Sequence, residues 1–213
     1  LTLKTILQFP DIPVEHHSNL DEVMQRVQKT SSDIFGAGKR NLVLTQFNGS
    51  FLKKCPGASP GMVCCNYYVV NLIKNCMYDC SYCFLQDFLN NNPLLVAYVN
   101  IEDLLKELDQ KFSTHSDKIF RVGTGELTDS LALDQVIPYS QQLIPFFNQR
   151  ENAILELKTK STCVRNLLNQ NSTKNIIVSW SLNPQTIIDQ EEKGTPNLEK
   201  RLEAARLCAE KGY

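Results

Sequence analysis

The sequence predicts an α/β protein whose strands form a partial (β/α) barrel similar to the TIM type. Short apolar stretches alternate with helical patterns from about residue 67 onward, and glycine or polar residues follow most of them. Strands that alternate with helices are typical of parallel βαβ units. Polar residues at the carboxyl ends of such strands indicate a site at that face of the barrel. The four predicted strands are 67–73, 119–125, 153–160 and 175–182.

The elements between the strands show helical periodicity. Asn100 is a suitable N-cap for the first helix, because its side chain can accept hydrogen bonds from free backbone N–H groups. Gly212 is suited to end the last helix, since glycine tolerates the left-handed conformation. We predict a kink in the second helix at Pro138 or Pro145. The predicted helices are 100–108, 133–149, 164–170 and 198–211.

The N-terminal part is less regular. A short helix is predicted at 21–29, and a loop that contains Gly36 and Gly38 follows it. A strand is predicted at 41–47 from its content of Leu, Val and Thr. We therefore expect two parts in the chain. These are an N-terminal extension with a cysteine-containing loop at 1–65, and the partial barrel at 66–213.

Composition and charge argue against several classes of protein. Hydrophobic residues are 42% and charged residues 21% of the chain, as in ordinary globular domains. The net charge of −1 gives no electrostatic case for nucleic acid, although a local basic groove stays open. No signal peptide or long apolar run is visible, so we expect no membrane partner. The eight cysteines are then expected to be metal ligands rather than disulfides, in a reducing cytoplasm.

Three cysteines, Cys76, Cys80 and Cys83, form the most informative motif. Thiolates bind iron–sulfur clusters and zinc well, and closed sites of either kind use four of them. Three cysteines in one loop leave a metal position free, which is typical of a catalytic site. Two alternatives stay open: three buried thiols on one helical face, or a zinc site completed by a cysteine from a turn-rich loop. For the cysteines of that loop, burial is favoured over a second metal site; they are Cys55, Cys64 and Cys65.

The Cys-x3-Cys-x2-Cys spacing, with an aromatic residue before the last cysteine, resembles the radical S-adenosylmethionine (SAM) superfamily. The residues at 76–90 and 98–105 are similar to those of the spore photoproduct lyase family. The resemblance runs from about Cys55 to the last residue. It implies a six-strand partial barrel of the radical SAM type. Because four barrel strands are found, we expect the C-terminal strands to be missing from this chain.

The resemblance also implies the chemistry. The three cysteines would hold a [4Fe-4S] cluster, and SAM would bind the fourth iron through its amino and carboxylate groups. An external one-electron reductant of the flavodoxin or ferredoxin type would allow cleavage of SAM to methionine and a 5′-deoxyadenosyl radical. DNA is the implied partner, and a DNA photoproduct is the implied substrate. The alternative function is a zinc-stabilised structural or nucleic-acid-binding module that uses the same cysteines.

Residues at three strand ends match SAM contacts of the family: a Gly-Gly-Glu-like segment, a Thr-Lys pair and a Ser-x-Asn pair. A lysine provides a point charge for the SAM carboxylate, and serine and asparagine can bond the ribose hydroxyls. Arg201 lies in a further run that resembles the family, and we predict that it either reaches the SAM carboxylate or is solvated. The predicted cofactor-binding residues are Gly125, Glu126, Thr128, Lys160, Ser181 and Asn183.

Two departures from the family concern hydrogen transfer. Glu126 stands where the lyases have a cysteine that donates a hydrogen atom, and Phe84 stands where they have a second tyrosine of the radical relay. Tyr82, the first tyrosine, is kept. Cys163 is the other cysteine at a strand end, and it can replace the donor if it faces the cluster. We predict Tyr82 and Cys163 as catalytic residues, with a hydrogen-transfer partner different from that of the lyases.

Overall fold

The structure is a computed structural model that describes residues 2–57, 59–61, 63, 65–171 and 174–213. The helices in these ranges are α1 (Thr2–Leu7), α2 (Leu20–Thr30), α3 (Ile34–Lys39), α4 (Leu85–Phe88), α5 (Ile101–Thr114), α6 (Ser140–Asn148), α7 (Arg165–Leu168), α8 (Gln185–Glu191) and α9 (Leu198–Lys211). The strands are β1 (Leu42–Thr45), β2 (Leu52–Lys54), β3 (Tyr67–Val70), β4 (Ile73–Lys74), β5 (Asp79–Cys80), β6 (Leu95–Tyr98), β7 (Phe120–Gly123), β8 (Ala153–Thr159), β9 (Ile176–Trp180) and β10 (Glu192–Lys193). None of the helices in the described ranges has both the length and the apolarity of a membrane span.

A five-stranded sheet forms the partial barrel, in the order β2-β3-β7-β8-β9. The last four of these strands run parallel, and β2 pairs antiparallel with the edge of β3. They correspond to the four predicted strands, so the predicted alternation of strands and helices is confirmed. The first strand is shorter than predicted, because the chain leaves the sheet after Val70 and β4 pairs with β6 instead.

The two faces of this sheet differ in chemistry, because side chains alternate along each strand. The outer face carries buried apolar residues such as Val122, Leu155 and Leu157, which belong to the main core with residues of α5 and α6. The opposite face, here called the inner face, is polar and partly exposed. Its polar and charged residues include Lys53, Tyr67, Arg121, Glu156, Lys158 and Ser179.

A smaller sheet has the order β1-β6-β4 and lies beside the barrel. It packs on α2 and α3 through a second buried cluster, formed by Val23, Met24, Val27, Ala37, Leu94 and Val96. β1 and β2 come from the predicted extension at 1–65, yet they pair with β6 and β3 of the predicted barrel part. The division at residue 65 stays a prediction.

Two predicted elements are wrong. The predicted loop that contains Gly36 is helix α3, because the Asp33 carboxylate accepts a hydrogen bond from Gly36 N at 2.9 Å and caps the helix. The predicted helix at 133–149 begins only at Ser140. The Asp134 carboxylate accepts hydrogen bonds from the backbone N and the hydroxyl of Ser140, and these contacts mark the start of α6.

Asn100 occupies the predicted N-cap position of α5, but its side chain bonds another segment. Its Oδ1 accepts a hydrogen bond from Phe47 N at 2.9 Å, and its Nδ2 donates to Phe47 O at 3.1 Å. The residue therefore ties the loop that follows β1 to the start of α5. Sequence spacing alone does not reveal this partner, which lies 53 positions away.

Candidate cluster and cofactor site

The three predicted cluster cysteines lie in a turn-rich loop between β4 and α4. Cys80 is buried, and Cys76 and Cys83 are half-buried. Cys83 N donates to Cys80 O at 3.1 Å, and Gln86 Nε2 donates to the same carbonyl at 2.6 Å. The cysteines are not on a helix, so the alternative of three core thiols on one helical face is wrong.

Asn75 shapes the start of this loop. Its φ of 74° lies in the left-handed region, which asparagine adopts more readily than most residues. Its buried side chain donates to Pro93 O at 2.7 Å and accepts from Cys76 N at 2.8 Å. These contacts fix the direction in which the chain enters the cysteine loop.

The segment 191–193, here called the strap, holds the loop from outside. Its strand β10 pairs antiparallel with β5, so that Glu192 lies opposite Cys80. Ser81 N also donates to Glu191 O at 2.8 Å, and the Ser81 hydroxyl donates to the Glu191 carboxylate. The middle of the cysteine loop is therefore positioned by a segment about 110 residues later in the chain.

Arg201 lies behind the strap, and the prediction that it is solvated is wrong. Its side chain and that of Glu192 are both 0% exposed, and they form an ion pair. Arg201 Nε donates to Pro196 O at 2.8 Å, and Nη1 donates to Ser181 O at 3.0 Å. All three side-chain nitrogens thus have protein acceptors. Glu192 was not predicted as the partner, because it lies nine residues before Arg201 and only positions three and four residues away were considered.

Tyr82 joins this network from the loop. Its hydroxyl donates to the Glu192 carboxylate and accepts from Asn183 Nδ2 at 3.2 Å. Lys160 Nζ lies 5.7 Å from the centre of the Tyr82 ring, which is a cation–π arrangement. Burial raises the pKa of Tyr82, and the hydrogen bond to Glu192 raises it further. Three predicted site residues, Tyr82, Lys160 and Asn183, therefore meet beside Cys80.

A buried aspartate that the sequence analysis did not single out, Asp129, connects two strand ends. Its Oδ2 accepts from Lys160 N at 2.6 Å, and its Oδ1 accepts from Thr159 Oγ1 at 2.6 Å. The backbone N–H groups of Leu131 and Ala132 also donate to Oδ1. Burial raises the pKa of Asp129, although these hydrogen bonds oppose the shift. Its position in the polar segment after β7 was the available sequence signal.

Gly125 and Glu126 lie directly after β7, as predicted. A Cβ at Gly125 would lie 3.1 Å from Ser130 Oγ and 3.4 Å from Lys158 Cβ, so this main chain packs closely against β8. The Glu126 carboxylate accepts a hydrogen bond from Asn71 Nδ2, which follows β3. The segment is therefore fixed between the two neighbouring strand ends.

The remaining predicted cofactor contacts, Thr128 and Ser181, are placed mainly through the main chain. Ser181 N donates to Thr159 O at 2.8 Å, which extends the pairing of β8 and β9. The Ser181 carbonyl accepts from Arg201, so the main chain of this strand end is held on both sides. The Thr128 hydroxyl lies 3.5 Å from Asp129 O, in the turn after β7.

Cys163 lies close to the cysteine loop. Its thiol is half-buried, and its backbone N donates to Ser161 Oγ at 3.0 Å. Burial raises the pKa of Tyr78, and the nearby charges of Asp129, Cys163 and Cys76 raise it further. Cys163 and Cys76 thus both act electrostatically on the Tyr78 hydroxyl, and the role of Cys163 as a hydrogen donor stays a prediction.

The cysteines considered for a zinc site lie elsewhere. Cys55 N donates to Tyr67 O at 3.0 Å, at the amino end of β3, and Cys65 precedes the same end. The cysteine loop follows the opposite end of this strand and the short β4. The positions of Cys55 and Cys65 therefore do not favour a shared zinc site with the loop. Cys64 lies outside the described residues.

The three thiols of the loop are a donor set that an iron–sulfur cluster accepts. In the described part of the chain, no group of three or more His, Cys, Asp or Glu side chains is arranged around one metal ion. In a cubane cluster each thiolate binds a different iron, so the ligands lie farther apart than those of one ion. Burial raises the pKa of Cys76 to about 11, so a metal bound at this thiol would displace a proton.

Comparison with known sequences gives one consistent family. The family model described as spore photoproduct lyase matches residues 11–213. Spore photoproduct lyase of Bacillus subtilis (strain 168) is 29% identical over 146 residues, which are 68% of this chain and 43% of that protein. The lyase of Clostridium acetobutylicum is 22% identical over 208 residues, which are 97% of this chain and 60% of that protein. The chain spans less than two thirds of the length of these relatives.

Solved structures agree in fold. A mutant spore photoproduct lyase with bound AdoMet and dinucleoside spore photoproduct has a TM-score of 0.80 and 21% identity, and the match covers 99% of this chain and 61% of that one. Spore photoproduct lyase complexed with dinucleoside spore photoproduct has a TM-score of 0.77 and 24% identity, covering 87% and 52%. Likeness at these identities establishes the shared fold, and the predicted partial-barrel class is confirmed.

Proposed function

Because the chain belongs to the spore photoproduct lyase family, we propose that it is a radical SAM enzyme with a [4Fe-4S] cluster on Cys76, Cys80 and Cys83. The observation that carries the proposal is the meeting of this loop with Lys160 and Asn183 at neighbouring strand ends. Cofactor sites of βα-barrels lie at this face of the sheet. When bound and reduced, the cluster and SAM supply a 5′-deoxyadenosyl radical.

The protein's own side chains would then bind and orient SAM. We assign the SAM carboxylate to Lys160, because Arg201 is buried and paired with Glu192. Glu126 provides a carboxylate for the SAM ammonium group. The rest of the cofactor would meet four further residues. Gly125 allows close approach of the main chain, Thr128 and Ser181 provide hydroxyl groups, and Asn183 provides an amide.

We assign hydrogen transfer to Tyr82 and Cys163. A phenol O–H and a thiol S–H can each give up a hydrogen atom, whereas the phenyl ring of Phe84 has no such group. The Tyr82 hydroxyl is held in one direction by the Glu192 carboxylate. Glu126 bonds Asn71 and has no thiol, so it does not replace the cysteine that stands at its position in the lyases.

We propose a DNA photoproduct as the substrate class and DNA as the partner. The related solved structures contain a dinucleoside spore photoproduct. The sequence has no basic run, but the fold gathers Lys53, Arg121 and Lys158 on the inner face. Cations from separate strands can attract a phosphate backbone, and a lesion must leave the duplex to reach such a concave face.

The remaining assignments concern the surroundings of the enzyme. An external one-electron reductant of the flavodoxin or ferredoxin type provides the electron that reductive cleavage consumes. We place the enzyme in a reducing cytoplasm, because the seven cysteines of the described residues are free thiols.

Anaerobic reconstitution tests the cluster. We expect about four irons per chain in the wild type and a brown protein, since iron–thiolate clusters are coloured. Cys80→Ala should lose iron and form no 5′-deoxyadenosine from SAM. Cys55→Ala is the matched control, because Cys55 lies at the other end of β3, and it should keep both properties. Formation of 5′-deoxyadenosine by Cys80→Ala would refute the assignment.

Incubation with dinucleoside spore photoproduct, SAM and dithionite tests the substrate. We expect conversion of the photoproduct to two thymine bases that are no longer joined to each other, each still attached to its own nucleoside. Cleavage of SAM without conversion of the photoproduct would reject this substrate and leave the radical SAM assignment in place.

A further inference from the structure

A buried lysine reaches the cysteine loop from the N-terminal part of the chain. Lys39 is the last residue of α3, and its side chain is 7% exposed. Its ammonium group donates hydrogen bonds to the carbonyl of Tyr78 and to the carboxylate of Asp79. Both acceptors lie between Cys76 and Cys80 in the chain. A cation from a helix outside the five-stranded sheet therefore bonds the loop between two of the proposed cluster ligands.

The position of α3 beside the loop is fixed by packing. The helix shares the second buried cluster with α2 and β6. A Cβ at Gly38 would lie 2.8 Å from Pro93 Cγ, so the backbone of α3 directly meets the segment before β6. Pro93 O in turn accepts the hydrogen bond from Asn75 Nδ2 at the entry to the loop. α3 therefore supports the loop on both sides of Cys76, through Pro93 before it and through Lys39 after it.

The surroundings of the ammonium group keep its charge effective. Lys39 Nζ lies 5.4 Å from the centre of the Phe35 ring, a cation–π arrangement. Its carboxylate partner, Asp79, is 52% exposed. Because water and salt screen exposed charges more than buried ones, the lysine charge acts more strongly on the loop than the aspartate charge. Burial raises the pKa of Cys76, the charge of Asp129 raises it further, and the charge of Lys39 lowers it, so the lysine acts on this thiol.

A fixed positive charge beside an iron–sulfur cluster favours the form that carries one more electron. Reduction adds a negative charge to the cluster, and Coulomb attraction to a nearby cation lowers the energy of that form. Net charge, hydrogen bonds and exposure to solvent are the factors by which a protein sets the reduction potential of such a cluster. A cation that also bonds the main chain of the loop restricts the loop before any metal binds.

We propose that Lys39 is a positioning residue for the cysteine loop, and that its charge makes a cluster held by this loop easier to reduce. This role of Lys39 rests on the proposed function, because it concerns the cluster assigned to Cys76, Cys80 and Cys83. The electron comes from the external reductant assigned above, and Lys39 neither gains nor loses a proton. The predicted extension at 1–65 thereby contributes a residue to the site.

An EPR-monitored redox titration of the reconstituted protein tests the effect of the charge. Lys39→Met keeps the length of the side chain and removes its charge. The equilibrium constant for one-electron reduction should fall about threefold to tenfold, and a tenfold change equals about 59 mV. Lys39→Arg keeps the charge and should restore most of the wild-type potential. Asp79→Asn removes a negative charge and should shift the potential in the opposite direction.

Arg40→Met is the matched control for the loss of one positive charge. Arg40 is the next residue, is exposed and forms no ion pair within the part of the chain that the structure describes. Its variant should keep the wild-type potential. An unchanged potential in Lys39→Met, or an equal shift in Arg40→Met, would overturn the role of the charge. Asp79 is exposed, so Asp79→Asn tests the sign of the effect even if Lys39→Met takes up no iron.

Alkylation of the iron-free protein with iodoacetamide tests the positioning role without the cluster. Cys80 is 6% exposed, so its thiol reacts when the loop opens. In Lys39→Met this reaction should be at least about threefold faster than in the wild type, because local opening is easier when a bond to the loop is lost. Cys208 is 1% exposed in α9 and reports global unfolding, so its rate should not change. Equal rates at Cys80 in the two proteins, measured by mass spectrometry, would overturn the positioning role.

Iron content, measured on the same preparations, separates this inference from the proposed function. A wild type that takes up a cluster whose potential does not depend on Lys39 would reject the inference alone. A wild type that takes up no cluster would reject the proposed function and, with it, the role of the lysine charge, whereas the alkylation rates would still decide the positioning role.

Discussion

The Tyr67 hydroxyl in β3 donates a hydrogen bond to the Glu156 carboxylate in β8 at 2.6 Å, across the strand between them. That strand is β7, and its residue at the crossing is Gly123. A Cβ at Gly123 would lie 1.9 Å from the Tyr67 hydroxyl oxygen. From the other side, Ser179 Oγ donates to Glu156 at 2.9 Å. The inner face thus contains a chain of hydrogen bonds that joins three strands. It can form only because Gly123 has no side chain in the space of the Tyr67 hydroxyl.

Gly123→Ala should break this chain. The added methyl group cannot share the space of the Tyr67 hydroxyl, so either the ring or the strand must move, at a cost of about 1–3 kcal/mol. Urea unfolding measures the change in the free energy of unfolding. Gly57→Ala is the control, since its Cβ would meet only Cys55 Sγ at 3.6 Å, an ordinary contact. Equal effects of the two variants would contradict the steric argument.

The stability of the fold should depend on the charge of Glu156. Burial raises the pKa of Glu156, but the hydrogen bonds from Tyr67 and Ser179, with the charges of Lys158 and Arg121, outweigh burial, and the pKa lies below its ordinary value of 4.5. A carboxylate with a lowered folded pKa stabilises the fold above its unfolded pKa, and that stability disappears as the pH falls through the folded pKa.

Urea unfolding at a series of pH values checks this dependence. The free energy of unfolding of the wild type should fall as the pH drops below about 4.5, and the fall should be smaller in Glu156→Gln. The variant keeps the shape of the side chain and removes its titration. Identical pH profiles of the two proteins would show that Glu156 has the same pKa in both states.

Removing Arg201 should destabilise the protein more than removing an exposed arginine. Loss of one partner from a buried ion pair leaves an uncompensated charge, and the cost is about 3–5 kcal/mol. Arg201→Ala leaves the Glu192 carboxylate, which is 0% exposed, as a buried charge without its partner. Arg206→Ala removes an exposed pair with Glu203, which water already screens, and should change the free energy of unfolding much less. Similar losses in urea unfolding would mean that water reaches Glu192.

Lys160→Ala should weaken SAM binding. Loss of a charge-assisted contact to the SAM carboxylate is expected to raise the dissociation constant about tenfold, which equals about 1.4 kcal/mol. Calorimetric titration of the reconstituted protein with SAM measures it. Lys193→Ala serves as the control, because Lys193 is exposed on the strap and pairs with β5 only through its backbone. Unchanged affinity in Lys160→Ala would remove this residue from the SAM site.

Tyr82→Phe should separate the two halves of the reaction. SAM cleavage should continue, since the phenyl ring keeps the packing beside Lys160. Formation of the final product should fall at least about tenfold, because the O–H group that gives up hydrogen is absent. The ratio of product to 5′-deoxyadenosine, measured by chromatography, checks this. An unchanged ratio would assign hydrogen transfer to Cys163 alone.

The features that were read correctly from the sequence are those with local causes. The four barrel strands follow from runs of apolar residues, and the end of α9 at Gly212, with a φ of 98°, follows from the tolerance of glycine for that conformation. The grouping of three cysteines in one loop was visible from spacing alone, and their role as cluster ligands stays a prediction. Each of these signals lies within about ten residues, where one conformation largely decides which side chains can meet.

The features that were missed depend on partners far apart in the chain. Glu192 meets Tyr82 from 110 positions away, and Asp129 meets Lys160 from 31 positions away. The predicted helix at 133–149 is shorter, and the Asp134 carboxylate that bonds Ser140 at its start is also held by Asn166, 32 positions away.

Local spacing was therefore enough to identify the class of fold, the cysteine loop and the family resemblance, since these depend on backbone conformation and residue type. Only folding decided that Arg201 pairs with Glu192 of the strap, that Cys163 lies near the loop, and that Lys53 and Lys158 share one face. The physical reason is that desolvation and pairing act between groups brought together by strand order, and the linear order of residues does not specify those neighbours.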